Sequence, residues 1–333
     1  MSTATYDVAG LGNAIVDVIA PVEDAFLEEL DIRKNGMTLI EEPRAELLTE
    51  RAGPDAVQTS GGSGANTIAG LGSFGGKGAY FGKVADDHLG GVFRTETEAD
   101  GVAFPCTPLI GGPATARSII FVTPDGARSM NTYLGATTLF SPSDIDEDII
   151  RNSAITYLEG YLFDRDEAKA AFVHAAEIAT AAGRQTALTL SDSFCVDRHR
   201  ASFLHLIRGH VDILFANEEE LLSLYEVSDF DEALDLLEKD VNIAAVTRSE
   251  KGSVVMTKTE RITLPAEPID QVVDTTGAGD QYAAGLLFGL ARDLPLATCG
   301  RLGHIAAAEV ISHYGPRPET PLAELAKKAG IEF

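Results

Sequence analysis

Asp274-Thr275-Thr276-Gly277-Ala278-Gly279-Asp280 is the stretch whose reading decides the fold. Small residues in succession let backbone N–H groups turn to one side together. The apolar spacing of Gln281–Arg292 then makes this run the start of a helix, where an anion is welcome. Asp280 in the first helical turn would repel an anion that is merely bound. It makes sense if the anion is transferred to a hydroxyl that the carboxylate holds. A helix cap is the alternative for a lone acid, but seven residues of this composition, with an acid at each end, favour transfer.

Outward from this run, short β-rich segments alternate with amphipathic ones. Strand patterns occupy Tyr6–Leu11, Gly78–Val84, Ala154–Leu158, Ala187–Leu190, Asp212–Phe215 and Ile243–Thr247. Between them, Asp166–Ala182, Val196–Arg208 and Phe230–Lys239 carry apolar residues three and four apart. This alternation predicts an α/β fold with a mostly parallel sheet and crossover helices. Two regions, about 14–40 and 103–140, break the rhythm with consecutive strand patterns. They include Ser118–Val122 and Arg128–Tyr133 around the turn Thr123-Pro124-Asp125-Gly126. They predict a small β-rich lid, discontinuous in sequence and attached to the edge of the main sheet, within one domain spanning 1–333. The chain after Gly277 reads as helical.

The chain has 333 residues, 45% hydrophobic and 23% charged, as in soluble globular proteins. Lys and Arg number 26 against 51 Asp and Glu, a formal net charge of −25. With no basic block to offset it, nucleic acid is excluded as an expected partner. An anionic ligand must then be met by local arginines, metal ions or backbone N–H groups. Apolar runs stop well short of the ~20 residues of a membrane span. The first residues lack the basic and apolar regions of a signal peptide, so a cytoplasmic location is expected. Cys106, Cys195 and Cys299 are too few and too scattered for a disulfide framework. The expected partner is a small-molecule substrate, and the expected state is a monomer or a homodimer.

Other glycine clusters separate cleanly. Gly70-Leu71-Gly72-Ser73-Phe74-Gly75 matches a dinucleotide fingerprint, but a helical pattern precedes it and a strand follows. The fingerprint needs strand, turn, helix, so this is a helix end and a dehydrogenase is excluded. Gly75-Gly76-Lys77-Gly78 lacks the remaining residues of a P-loop. Ser60-Gly61-Gly62-Ser63-Gly64-Ala65-Asn66 lets a polyhydroxyl ligand approach the backbone, and Asn66 both donates and accepts. A solvent loop is the alternative there.

Together these residues resemble the ribokinase-like superfamily of ATP-dependent carbohydrate and purine kinases, over nearly the whole chain. Gly61-Gly62-x-x-x-Asn66 is similar to its N-terminal signature, and Asp274–Asp280 with Gly285 to its C-terminal one. Asn217-Glu218-Glu219-Glu220 resembles the N-x-x-E motif. Thr247-Arg248-Ser249-Glu250-Lys251-Gly252 resembles the T-x-G-x-x-G motif, with Ser249 in place of the first glycine. Gln281-Tyr282 replaces the commoner small residue and Phe.

The resemblance implies a three-layer α/β/α fold with the lid over the acceptor, and transfer from ATP to a CH2OH group. Asp280 would be a general base of ordinary low pKa, and the Gly277, Ala278 and Gly279 amides would stabilise the transferred phosphoryl group. Arg128 would reach that group when the lid closes. ATP would lie along Asn217, Thr247, Ser249, Gly252, Gly277 and Gly279, with His304 facing its base; plain helix packing is the alternative for His304. Asn217 and Glu220 would hold Mg²⁺ through water. Asp274 and Thr276 resemble positions that take a monovalent cation such as K⁺, a capped turn being the alternative. Asn13, Asp17, Gly61, Gly62 and Asn66 would bind the acceptor. Asn13, Asp17 and the stretch Cys299–Ala308 most resemble adenosine kinases. Ile15, Met130, Leu134 and Phe163 offer an apolar wall for a purine, or simply core packing. Adenosine is the favoured acceptor. A kinase for ribose, fructose or 2-keto-3-deoxygluconate is the alternative, and a silent regulator on the same fold is opposed by Asp280 beside an intact Gly-Ala-Gly.

Overall fold

The structure is a computed structural model that describes residues 4–333. The chain starts in β1 (Tyr6–Leu11), then leaves the main sheet for β2 (Ile15–Pro21), β3 (Met37–Leu39) and β4 (Val57–Gly61). It returns through the helix Ser63–Ser73 into β5 (Gly78–Phe81). After the helix His88–Ala99 it builds the hairpin β6 (Ala116–Val122) and β7 (Arg128–Tyr133). Strand and helix then alternate through β8 (Ser153–Glu159), β9 (Gln185–Thr189), β10 (Ile213–Asn217) and β11 (Ile243–Thr247). The edge strands β12 (Ser253–Thr257) and β13 (Arg261–Leu264) follow, and the chain ends in helices Ala278–Leu290, Leu296–Val310 and Leu322–Lys328.

The large sheet has the order β13-β12-β11-β10-β9-β8-β1-β5 and is parallel from β5 to β11. Its central strands read as almost unbroken apolar runs because helices cover both faces. Leu214, Ala244 and Leu188, for example, are fully buried. The antiparallel pair β12–β13 at the edge was not expected. Both connections are too short for a parallel crossover: the 3-10 turn Ser249–Lys251 joins β11 to β12 antiparallel, and residues 258–260 join β12 to β13.

The small sheet is ordered β3-β7-β6-β2-β4 and has its own core, with Leu27, Leu48, Ile119 and Phe121 buried between it and the helix Glu42–Ala52. The small sheet draws on segments other than the stretches 14–40 and 103–140 expected for the lid. β4 belongs to the small sheet although its sequence, Val-Gln-Thr-Ser-Gly, lacks alternation. Residues 103–109 instead make single bridges beside β5, at Ala79–Ala103 and Ala85–Leu109. The hairpin turn is as read: Thr123 and Ala127 close it, with Gly126 at φ 82°. The described cysteines are free and buried. Among the described residues no helix is long and apolar enough to cross a membrane.

Candidate active site

The parallel strands β1, β8, β10 and β11 end at Leu11, Glu159, Asn217 and Thr247, along one edge of the large sheet. Ligands of open α/β sheets bind outside this carboxyl edge. The glycine turn 274–280 and the helix Ser63–Ser73 meet there.

Gly277 takes φ 81°, and a Cβ on it would sit 2.7 Å from the backbone of Pro316, so glycine is required twice over. Ala278 N–H donates to the Thr275 carbonyl at 3.2 Å. Of the three expected amides, those of Gly277 and Gly279 therefore remain for an anion among the described residues. Asp274 caps the turn: its Oδ1 accepts from Thr276 N–H (3.0 Å) and hydroxyl (2.7 Å), and its Oδ2 from Gly315 N–H (3.2 Å). Arg128, at the start of β7 in the small sheet, lies 3.5 Å from the same Oδ2. Asp274 is thus already matched by a cation, and its carboxyl lies below the usual range through the Thr276 and Gly315 hydrogen bonds, against the opposing pull of burial.

Asp280 Oδ1 accepts from the Ser63 hydroxyl at 2.6 Å, and Oδ2 from Asn66 Nδ2 at 3.2 Å. Burial nevertheless pushes its carboxyl up to about 6, not the ordinary low value expected. Such a group is still mostly ionised at neutral pH and is a stronger base than an exposed aspartate. Gln281, beside it, donates to the Asn66 carbonyl (3.0 Å) and the Pro316 carbonyl (2.9 Å). The departure from a small residue there ties three segments together.

Among the residues expected to bind the acceptor, Gly61 faces Asp17, with room for no side chain: a Cβ would lie 2.8 Å from Asp17 Oδ2. Gly62, at φ 92°, presses on the Asn13 carbonyl. Burial raises Asp17 to about 6, against the attraction of Arg128 and Arg317. Two guanidinium nitrogens of Arg128, Nε and Nη2, are buried without a partner among the described residues. Arginine donors left open beside an anion-binding turn fit a phosphoryl group. Asn13 is engaged differently from expectation. Its Nδ2 donates to Glu159 (2.8 Å) and its Oδ1 accepts from Thr137 (3.0 Å), so the amide is tied to two neighbouring segments.

Glu159 went unread in the sequence. It is 1% exposed and accepts from Asn13 N–H (3.3 Å), Asn13 Nδ2 and Gly64 N–H (2.7 Å). Burial lifts it to about 7. Its only sequence signal is an acid closing the apolar run 154–158. Arg317, also unread, donates to Asn66 Oδ1 (3.3 Å) and to Asp100 (2.7 Å); an arginine between Pro316 and Pro318 in so acidic a chain was the available sign.

On the other side, Asn217 and Thr247 are paired neighbours of β10 and β11. Ser249, standing where the resembled motif has glycine, has a left-handed backbone, φ 52°. Gly252 has φ 88°, and a Cβ there would overlap the Leu264 carbonyl. Asn217 and Glu220 form a reciprocal helix cap, with Glu220 N–H donating to Asn217 Oδ1 at 2.8 Å and Asn217 Nδ2 to Glu220 at 2.6 Å. Burial raises Glu220 to about 7, and the nearby Asp192 and Glu219 charges add to the rise. Acids crowded in this way suit a divalent cation held through water, and the donor set fits Mg²⁺. Among the described residues no cluster of three or more His, Cys, Asp or Glu would hold a metal directly.

Two expected contacts fall elsewhere. His304 is buried, its Nε2 2.8 Å from the Ser253 hydroxyl and its ring edge-on to Tyr282. Tyr282, in place of Phe, donates to the same hydroxyl at 2.8 Å. His304 is therefore packed between elements, as the alternative reading had it. Phe163 stacks on Phe203, centroids 4.7 Å apart, inside the core rather than in a purine wall.

Residues 38–323 match the model of the pfkB family carbohydrate kinases. The chain belongs to that family. Like its members, it is an ATP-dependent kinase that acts on a hydroxyl. An adenosine kinase from Sinorhizobium meliloti is 56% identical, with TM-score 0.90 over 98% of this chain and 100% of that one. A probable sugar kinase from Rhizobium etli CFN 42 is 51% identical, with TM-score 0.91 over 98% and 99%. The adenosine kinase of Saccharomyces cerevisiae is 26% identical over 92% of this chain and 95% of its own.

Proposed function

We propose that this pfkB kinase transfers the γ-phosphoryl group of ATP to the 5′-hydroxyl of adenosine, giving AMP and ADP. The observation that carries the reading is the end-to-end likeness, at 56% identity, to an adenosine kinase. The site chemistry agrees with it. Asp280 takes the proton of the acceptor CH2OH while the oxygen bonds to phosphorus and the bond to ADP breaks. Ser63 and Asn66 hold the carboxylate toward that oxygen. The Gly277 and Gly279 amides and the Arg128 guanidinium meet the charge on the phosphoryl oxygens. Asn217 and Glu220 would hold Mg²⁺ through water, and it would supply further positive charge to the phosphates.

Asp17 grips the ribose diol, with Gly61 leaving the room to do so. Free ribose satisfies these partners too, so the choice between nucleoside and sugar rests on the base. Ile15, Met130 and Leu134 lie on the lid side, uncharged, and are the remaining apolar wall. A purine burying about 100 Å² against it gains on the order of 2–3 kcal/mol, roughly 30–150-fold in affinity.

The likeness at 51% identity to a probable sugar kinase favours a second reading, in which a free sugar is the acceptor. A competition assay with adenosine, ribose, fructose and 2-keto-3-deoxygluconate at equal concentration separates them. Adenosine should show the highest kcat/KM; preference for any free sugar would replace this reading with the second.

A further inference from the structure

We infer that Arg317 is a positioning residue for phosphoryl transfer, setting the orientation of the Asn66 amide and through it the carboxylate of Asp280. Arg317 Nε lies 3.3 Å from Asn66 Oδ1, and Asn66 Nδ2 lies 3.2 Å from Asp280 Oδ2. A guanidinium only donates and an ionised carboxylate only accepts. An amide between them has one orientation that satisfies both neighbours. Flipped, it would set N–H against N–H and oxygen against carboxylate. Without the arginine, the amide is free to turn away, and Asp280 keeps Ser63 alone.

Arg317 is itself held in place. Its Nη1 pairs with Asp100 at 2.7 Å, with the arginine side chain only 18% exposed. Prolines on either side fix the backbone φ of the loop. The Pro316 carbonyl accepts from Gln281 Nε2, which also donates to the Asn66 carbonyl, and Gly315 N–H donates to Asp274. Residues 315–317 thus touch Asp274 at the start of the turn, Gln281 just past its end, and Asn66, which faces Asp280. A lysine in this place would bring charge but not the fixed fork that reaches Asn66 and Asp100 together.

The inference rests on Asp280 as the base, and not on which acceptor is used. Its test measures kcat, KM, ATP affinity and Tm for Arg317→Ala, Arg317→Lys, Asn66→Ala and the Arg317→Ala/Asn66→Ala double variant, with Asp280→Asn alongside. Arg317→Ala should lower kcat roughly 10–100-fold, the cost of a base misplaced by about an ångström. ATP affinity should stay within about threefold, and Arg317→Lys should recover part of the rate. In the Asn66→Ala background the arginine should no longer matter to kcat. A loss that multiplies in the double variant, or an Arg317→Ala kcat like the wild type, overturns the inference. Should Arg317→Ala fail to fold, Asp100→Asn loosens the same guanidinium and should give a smaller fall that also vanishes with Asn66→Ala; persistence of that fall overturns it. Normal turnover by Asp280→Asn would instead remove the base assignment and this inference with it.

Discussion

Ser63 donates its hydroxyl to Asp280 Oδ1 at 2.6 Å across 217 residues of chain. The two residues start different helices, so the contact joins the N-terminal glycine cluster to the C-terminal one. It also means that the raised basicity of Asp280 is set by a balance: burial pushes the carboxyl up, while Ser63 and Asn66 pull it down.

Asp280→Asn should keep the fold and ATP affinity and lower turnover roughly 10²–10⁴-fold, the usual size of a general-base contribution. With the carboxyl at about 6, wild-type kcat/KM should rise with pH up to about 6 and level above it. Steady-state rates from pH 4.5 to 8.5 check both. Activity that stays flat down to pH 4.5 would mean that another group takes the proton.

Glu159 should make stability depend on pH in the direction opposite to a salt-bridged acid. Its folded value, about 7, lies above its ordinary 4.5, so the native state keeps a proton that the unfolded chain has released. Stability from this group is full below about pH 4.5 and is lost as pH rises through 7, on the order of 3 kcal/mol in all. Glu159→Gln should therefore gain in Tm relative to the wild type between pH 5 and pH 8. Parallel Tm curves for the two proteins would contradict this.

Arg128→Ala should depress kcat more than ATP affinity. Its Nη1 is paired with Asp274 of the turn, 3.5 Å away, and its Nε and Nη2 are open among the described residues, so on our reading they meet the phosphoryl group mainly as it transfers. Limited proteolysis with and without acceptor should show residues 116–133 becoming protected. An equal loss in kcat and in ATP affinity would place the arginine in ground-state binding instead.

The two ends of the 249–252 turn should respond differently to substitution. Gly252→Ala forces a side chain onto the Leu264 carbonyl at φ 88° and should cost at least about 1–3 kcal/mol, together with nucleotide affinity. Ser249→Gly relieves a left-handed strain of about 1–2 kcal/mol and adds roughly 0.5–1 kcal/mol of unfolded-chain entropy. It should be neutral to slightly stabilising. Urea unfolding and nucleotide titration of both variants measure the contrast.

The amino-acid pattern alone carried much of this. Strands β1 and β11 have the read boundaries, because apolar runs between turns are local signals. The turn at Gly277 was legible because its φ and its close approach to other backbone admit only glycine. Legibility fell where a residue's meaning depends on its neighbours in space. β4 has no alternation, and its place in the small sheet comes from pairing with β2. Phe163 is as apolar as any pocket residue, and its packing against Phe172 and Phe203 puts it in the core.

Composition and spacing by themselves determined an acidic, mostly parallel α/β chain with a glycine-rich helix start and an acid in its first turn. Those properties depend on residues within a few positions of one another. The tertiary structure decided which donors reach that acid, and so how basic it is. Ser63, Asn66 and, behind Asn66, Arg317 come from 214 to 251 residues away in their pairings. Hydrogen-bond orientation and desolvation act over a few ångströms in space, and no spacing along the chain encodes such distances.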